Sequence, residues 1–197
     1  AKSNNELSSS NIFNISIGKF LFLALVSLFL FQAANMGVAD YAFELGKDIG
    51  LENNKISNIL TIANIISISG GALVYLIGTK YGRTLPLIIG ISTSAIFTFL
   101  LHYSDNVSIY FIANTFTGIA WGFTIPYILG LCSSFDTHGQ MAALAGFISK
   151  MGLATGPLIG SLFIINSGIN FIINIAVVSL CISLIAVWLS SRATEEN

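Results

Sequence analysis

Charge is the scarcest property of this chain. Eight Lys and Arg and nine Asp and Glu make up only 9% of its 197 residues, against about 25% in ordinary soluble domains. So few charges cannot cover the surface of a water-soluble protein of this length. The net charge of −1 leaves no basic field of the kind that binding nucleic acid requires, so no nucleic-acid partner is expected. Cysteine is nearly missing as well. Cys132 and Cys181 both fall inside apolar stretches and are expected as free thiols packed as small apolar groups. No carboxylates stand at metal-ligand spacing, no glycine loop is built to cradle phosphate, and neither Gly-x-Ser-Gly nor Gly-x-Gly-Asp of the intramembrane proteases occurs. No metal, no cofactor and no catalytic residue is therefore expected, and an enzyme has no positive support.

What the chain has instead is apolar length. Mean hydropathy is +0.83, and six long apolar stretches fill nearly all of it, near 17–38, 56–77, 85–102, 109–133, 141–165 and 171–189. As a helix each is long enough to cross a hydrocarbon core, which takes roughly 20 residues. The fold class expected is an all-α integral membrane protein of six transmembrane helices. The first stretch is too long for a signal-peptide core and lacks a small-residue cleavage site followed by a soluble domain, so it reads as a span. Residues 1–14 read as a polar linker or lead, rich in Ser and Asn, and 193–197 as a short tail. The start at Ala1, without an initiator Met, fits either a processed terminus or a cut through a longer protein.

Positive charge sets the expected orientation. With the N-terminus cytoplasmic, Lys2, Lys19, Lys80, Arg83 and Arg192 fall inside, and only Lys47 and Lys55 fall outside, in a loop that also carries Glu44, Asp48 and Glu52. Both termini are expected on the cytoplasmic side. His102 and His138 then lie at span ends on opposite faces of the membrane, cannot share a metal, and are expected to be solvated.

Glycines repeat every four residues along two spans: Gly118, Gly122 and Gly130 with Pro126 in register on the fourth, and Gly152, Gly156 and Gly160 beside Pro157 on the fifth. That spacing keeps small residues on one helix face, where two backbones can approach closely. The prolines add the capacity to bend, since each removes a backbone hydrogen bond. Polar residues inside the spans mark the candidate site. Lys150 stands about 15 Å into the fifth span at 1.5 Å per residue, where a charge is expensive and needs a partner. It reads as a substrate-anion partner or coupling charge, or else as half of a structural pair. Gln32 and Asn35 share a face of the first span. Asn64, with Ser67 and Gly71, marks the second, and Asn114, Trp121 and Tyr127 mark the fourth. These either line an aqueous cavity or bond between helices. Asp40, at the outer end of the first span, reads as an interfacial residue. The third and sixth spans carry only small polar groups and look like scaffold.

The hairpin Gly78-Thr79-Lys80-Tyr81-Gly82-Arg83-Thr84-Leu85-Pro86 resembles the short cytoplasmic motif of major facilitator superfamily transporters, Asp-Arg-x-Gly-Arg-Arg in outline. Lys80, Gly82 and Arg83 match, while Thr79 stands where the family has Asp and Thr84 where a second basic residue is common. Gly118-Ile-Ala-Trp121-Gly122, Ile125-Pro126-Tyr127, Asp136-Thr-His-Gly139-Gln140 and Gly152-Leu-Ala-Thr-Gly156-Pro157 are similar, in that order, to spans ten and eleven of bacterial members, with Gln140 in place of the usual Arg. The resemblance covers 15–192 as the C-terminal six-helix half of such a transporter. It implies one bundle of two inverted three-helix repeats, a missing N-terminal six-helix half or a second copy as partner, and a substrate site near the midplane between bundles. It also implies a bacterial cytoplasmic membrane. The first, second, fourth and fifth spans would be cavity-side helices, where the polar residues fall.

The function expected is secondary active transport of a small solute by alternating access. The expected cavity residues are Lys150, Gln32, Asn35, Asn64, Asn114 and Trp121. Lys80, Gly82 and Arg83 would hold the cytoplasmic hairpin; Gly118, Gly122, Pro126, Gly152, Gly156 and Pro157 would serve packing and hinging. A non-transporting scaffold or assembly subunit, joined through its glycine faces, is the alternative.

Overall fold

In lipid every backbone N–H and C=O must be satisfied within the protein, which leaves an apolar chain of this kind only helices or a closed barrel. The computed structural model describes residues 18–135 and 138–195, and within them the regular structure is helical. The lead expected over 1–14, Lys2 and Asp136 of the turn motif lie outside the described residues. Helix α1 is Lys19–Asp40, α2 is Ala42–Asp48, α3 is Asn53–Ser67 and α4 is Ser69–Ile77. Helices α5 (Thr84–Leu100), α6 (Val107–Ser133) and α7 (Gln140–Glu195) follow, with a 3-10 turn Leu101–Tyr103 after α5.

The breaks have local causes. Gly78 ends α4 with φ 54°, a left-handed conformation that only glycine adopts without penalty. Pro86 sits in the first turn of α5, where its missing N–H has no helical partner to lose. Asn106 caps α6, its side chain accepting from the Ser108 N–H at 2.9 Å. In α7 one residue, Gly168 at φ 72° and ψ 173°, departs from helical geometry and divides the helix into two arms, 140–167 and 169–195.

Several boundaries differ from expectation. The second span is two helices that meet at Ile68. The outer loop after the first span holds the short helix α2. The sixth span begins directly after Gly168, and its helix continues through Glu195, so most of the expected tail is helical.

The packing exchanges partners between the two triplets. Helix α1 lies along both arms of α7: Gly37 and Ala33 meet Gly156 on the first arm, and Ser27 bonds Ser183 at 2.8 Å on the second. Helix α6 lies in the same way along α3–α4 and α5, with Gly118 against Ser67, Gly70 against the Ile119 carbonyl and Gly90 against Thr124. The contacts run in step, so α1 is parallel to the first arm and α6 is parallel to α3–α4. Three antiparallel crossings carry the chain to the opposite side of the membrane. The second triplet is thus inverted relative to the first, and the leading helix of each packs on the trailing helices of the other.

At these crossings glycine is a steric requirement. A Cβ on Gly156 would collide with the Ala33 carbonyl and stand 2.7 Å from the Gly37 nitrogen; one on Gly152 would stand 2.6 Å from the Phe29 carbonyl. Gly118 makes room for the Ser67 hydroxyl, which donates to the Ala63 carbonyl at 2.8 Å and lies 3.2 Å from that of Thr115. Gly122 is looser, its nearest neighbour 3.5 Å from a built Cβ. Pro126 is exposed and Pro157 half-buried. Among the glycines named for packing and hinging, Gly118, Gly152 and Gly156 are therefore the tight contacts. The sequence placed both cysteines inside packing; Cys132 is buried, but Cys181 is exposed on the outer surface of the second arm.

Candidate functional site

One face of the bundle is left uncovered. The helical stretch Asn53–Ile77 is apolar enough to span a bilayer, yet only 11% of its most hydrophobic window is buried within the fold. It packs on α6 through the glycine crossing, and its first turn meets α2, where Ile56 lies against Gly46. Beside it a cavity of about 250 Å³ opens between α1, α3 and α6, bordered by Asn35, Met36, Leu60, Ala63, Asn64, Asn114, Thr117 and Trp121.

The structure sorts the polar candidates into two groups. Gln32 and Asn35 are buried, at 2% and 4% exposure, and both act between helices. The Gln32 amide donates to Ser149 Oγ at 2.6 Å on the first arm of α7, and its carbonyl accepts from the Trp121 indole N–H at 2.7 Å on α6. Asn35 donates to the Phe31 carbonyl at 2.8 Å and accepts from Ser94 Oγ of α5 at 2.7 Å. Gln32 is therefore not a wall residue, and Asn35 borders the cavity with one donor and one acceptor site already spent. The buried core forced this, because an amide enclosed among apolar side chains must find partners there.

The second group keeps bonding capacity for something else. Asn64 is exposed on the uncovered face and makes no hydrogen bond among the described residues. Asn114 donates one N–H to the Tyr110 carbonyl at 2.8 Å, which leaves its carbonyl and second N–H. The Thr117 hydroxyl is buried without a hydrogen-bond partner among the described residues. Trp121 is 40% exposed with its N–H committed to Gln32, so it offers its ring. Thr117 escaped sequence reading because a threonine inside a helix normally satisfies itself on its own backbone.

Lys150 stands next to Ser149 but on the exposed side of the first arm, outside the cavity lining. It has no ion-pair or hydrogen-bond partner among the described residues.

The hairpin between α4 and α5 is tied to α6. Gly82 is left-handed at φ 71°, Lys80 is exposed and bridges to Gly82, and the Arg83 Nε lies 3.8 Å from a Cβ built on Gly130. The Tyr127 hydroxyl donates to the Gly78 carbonyl at 2.8 Å, satisfying a backbone acceptor at the end of α4. The sequence left Tyr127 either to line a cavity or to bond between helices, and the folded hairpin gives it the second role. Tyr127→Phe is expected to destabilise the bundle by about 1 kcal/mol and to speed amide exchange at residues 78–83, as read by hydrogen–deuterium exchange. Unchanged exchange there would remove the proposed anchor.

At the opposite end, the Tyr41 hydroxyl donates to the Pro157 carbonyl at 3.2 Å, and its ring packs on Gly160. Burial, with Asp40 and Glu44 after it, raises the Tyr41 pKa, so the hydroxyl keeps its proton at physiological pH. Asp40 is exposed at the end of α1. His102 was expected to be solvated. Its two ring nitrogens instead lie 3.2 and 3.0 Å from the side-chain oxygens of Asn170 and Asn174 on the second arm, which pins the end of α5.

No group of His, Cys, Asp and Glu among the described residues could hold a metal. The sequence model described as Major Facilitator Superfamily matches residues 18–197. A search of curated proteins finds no match.

Proposed function

The chain belongs to the major facilitator superfamily, a family of membrane transporters, and from that membership we propose that it forms the C-terminal wall of a secondary transporter for a small solute. The wall works by alternating access, rocking against a second six-helix bundle that covers the open face. The observation that carries this reading is the cavity between α1, α3 and α6, placed on a face whose apolar helix is almost uncovered. Lipid is a poor cover for that face, since Asn64 would meet hydrocarbon with no hydrogen-bond partner. A second bundle supplies both partners and a closed chamber. Both termini on the cytoplasmic side belong to the same proposal, supported by the distribution of Lys and Arg, as do a bacterial origin, by the likeness of the turn and glycine motifs to bacterial members, and the division into lead, bundle and tail.

In this picture Lys150, outside the cavity lining, meets a carboxylate of the second bundle. Lys80 and Arg83 hold the cytoplasmic hairpin, and the tight glycine crossings let α1 and α6 move as units with the helices they carry. The test is flux into proteoliposomes that contain the chain together with its second bundle. Lys150→Ala is expected to abolish transport or change its selectivity while membrane insertion stays normal; unchanged flux would sink the role of Lys150. Asn114→Leu is expected to lower flux at least about tenfold, as loss of a desolvated amide contact would, and normal flux in that variant would take the cavity out of the transport path.

A further inference from the structure

We propose that the cavity between α1, α3 and α6 binds an uncharged, polyhydroxylated ring compound, with the indole of Trp121 as the platform for its apolar face. The proposal rests on the transport reading for the site's place in the membrane, but its chemistry comes from the wall itself. None of the side chains lining the cavity is ionisable. The nearest deep charge, Lys150, lies outside the lining. A full charge moved from water into such a place would lose its hydration without a counter-charge from this wall.

What the wall does offer is neutral hydrogen bonding in both directions. The free amide of Asn64 and the remaining carbonyl and N–H of Asn114 provide donors and acceptors together. Hydroxyl groups are the natural complement, since each both donates and accepts. Carboxylates only accept and ammonium groups only donate, so either would leave half of these groups unpaired. Trp121 supplies a contact of another kind. Gln32 and Ser149 fix its indole by its N–H, so the exposed ring presents a rigid π surface. A solute with hydroxyls around its rim and C–H groups on its face satisfies both parts of the wall. The recess on this wall, about 250 Å³, has room for a single small ring.

The chain has two tryptophans, Trp121 and Trp188, so Trp188→Phe makes Trp121 the only indole. The experiment is fluorescence titration of that variant, assembled with its second bundle in nanodiscs, with glucose and myo-inositol as neutral probes and with glucuronate and glucosamine as their anionic and cationic counterparts. Saturable change with a neutral probe is expected, with binding of both charged compounds weaker by about tenfold or more. Asn64→Asp, at an exposed position without a hydrogen bond among the described residues, is expected to shift preference toward glucosamine. Equal or tighter binding of a charged compound, or no response to either neutral probe, overturns the proposed ligand class. The two readings fail separately. Neutral probes that bind but are not carried across proteoliposomes remove transport and leave the ligand class standing. Flux confined to charged solutes removes the ligand class and leaves transport standing.

Discussion

Gly156→Ala is expected to abolish the folded bundle or leave it barely stable, although it adds a single methyl group. The new Cβ would enter the Ala33 carbonyl and stand 2.7 Å from the Gly37 nitrogen. Both are backbone atoms of α1, which cannot rotate away as the end of a side chain can. Relief requires α1 and the first arm of α7 to separate. That separation would strip the Gly152 contact and stretch the Gln32–Ser149 bond on the same seam. Overpacking of a tight core costs about 1–3 kcal/mol, occasionally more, and a backbone-on-backbone clash belongs at or above the top of that range. The internal control is Gly146→Ala, on the same arm, where nothing lies within 4 Å of the added atom. There the change is expected to be neutral or to stabilise by about 0.5–1 kcal/mol, because alanine loses less backbone entropy in a helix. Detergent-resistant monodispersity on size exclusion and the thermal midpoint of each variant decide the matter. Equal behaviour of the two variants would refute the tight crossing.

Gln32→Leu is the second large effect. Leucine keeps the volume but removes both the amide that reaches Ser149 and the carbonyl that receives the Trp121 N–H. The consequences for the two partners are unequal. Ser149 can turn its hydroxyl back to a carbonyl of its own helix. The indole N–H, part-buried beside the enclosed Gln32, has no such fallback, and a donor left unpaired there costs about 1–3 kcal/mol. A loss of about 2 kcal/mol is expected, with most of it traceable to Trp121. In a double-mutant cycle the effect of Gln32→Leu should shrink by well over half once Trp121 is already Phe. With Trp188→Phe as background, Gln32→Leu should also loosen the Trp121 ring, seen as a red-shifted and less polarised emission. Additive effects in the cycle would mean that the bond holds nothing together.

The span pattern was legible because hydrophobic length is a local property. Twenty apolar residues in a row decide that a segment crosses a bilayer whatever its neighbours are. The turn glycines Gly78, Gly82 and Gly168 were legible in part, since their positions between apolar stretches mark the breaks. Local pattern could not show that the second span breaks at Ile68. That break lies where Ser67 reaches a carbonyl of another helix, 48 residues away, and no window of sequence contains both groups.

The polar residues show the same limit more sharply. Gln32, Asn35, Asn64 and Asn114 look alike in sequence, each an amide inside an apolar run. In the fold, Gln32 and Asn35 are consumed by Trp121, Ser149 and Ser94, whereas Asn64 and Asn114 keep free groups at the cavity. Lys150 announced itself by its cost in lipid, and the fold moved it from the cavity wall to an exposed flank.

From the sequence alone followed the lipid solvent, the six crossings, the glycine faces and the likeness to the major facilitator superfamily, because composition and spacing along one chain are enough for each. The tertiary structure decided which glycines are indispensable, which amides bind helices and which are left to bind a solute. The physical reason is that a close approach or a hydrogen bond belongs to a pair of atoms, and the chain brings those atoms together only when α1 and α6 exchange partners between the two triplets.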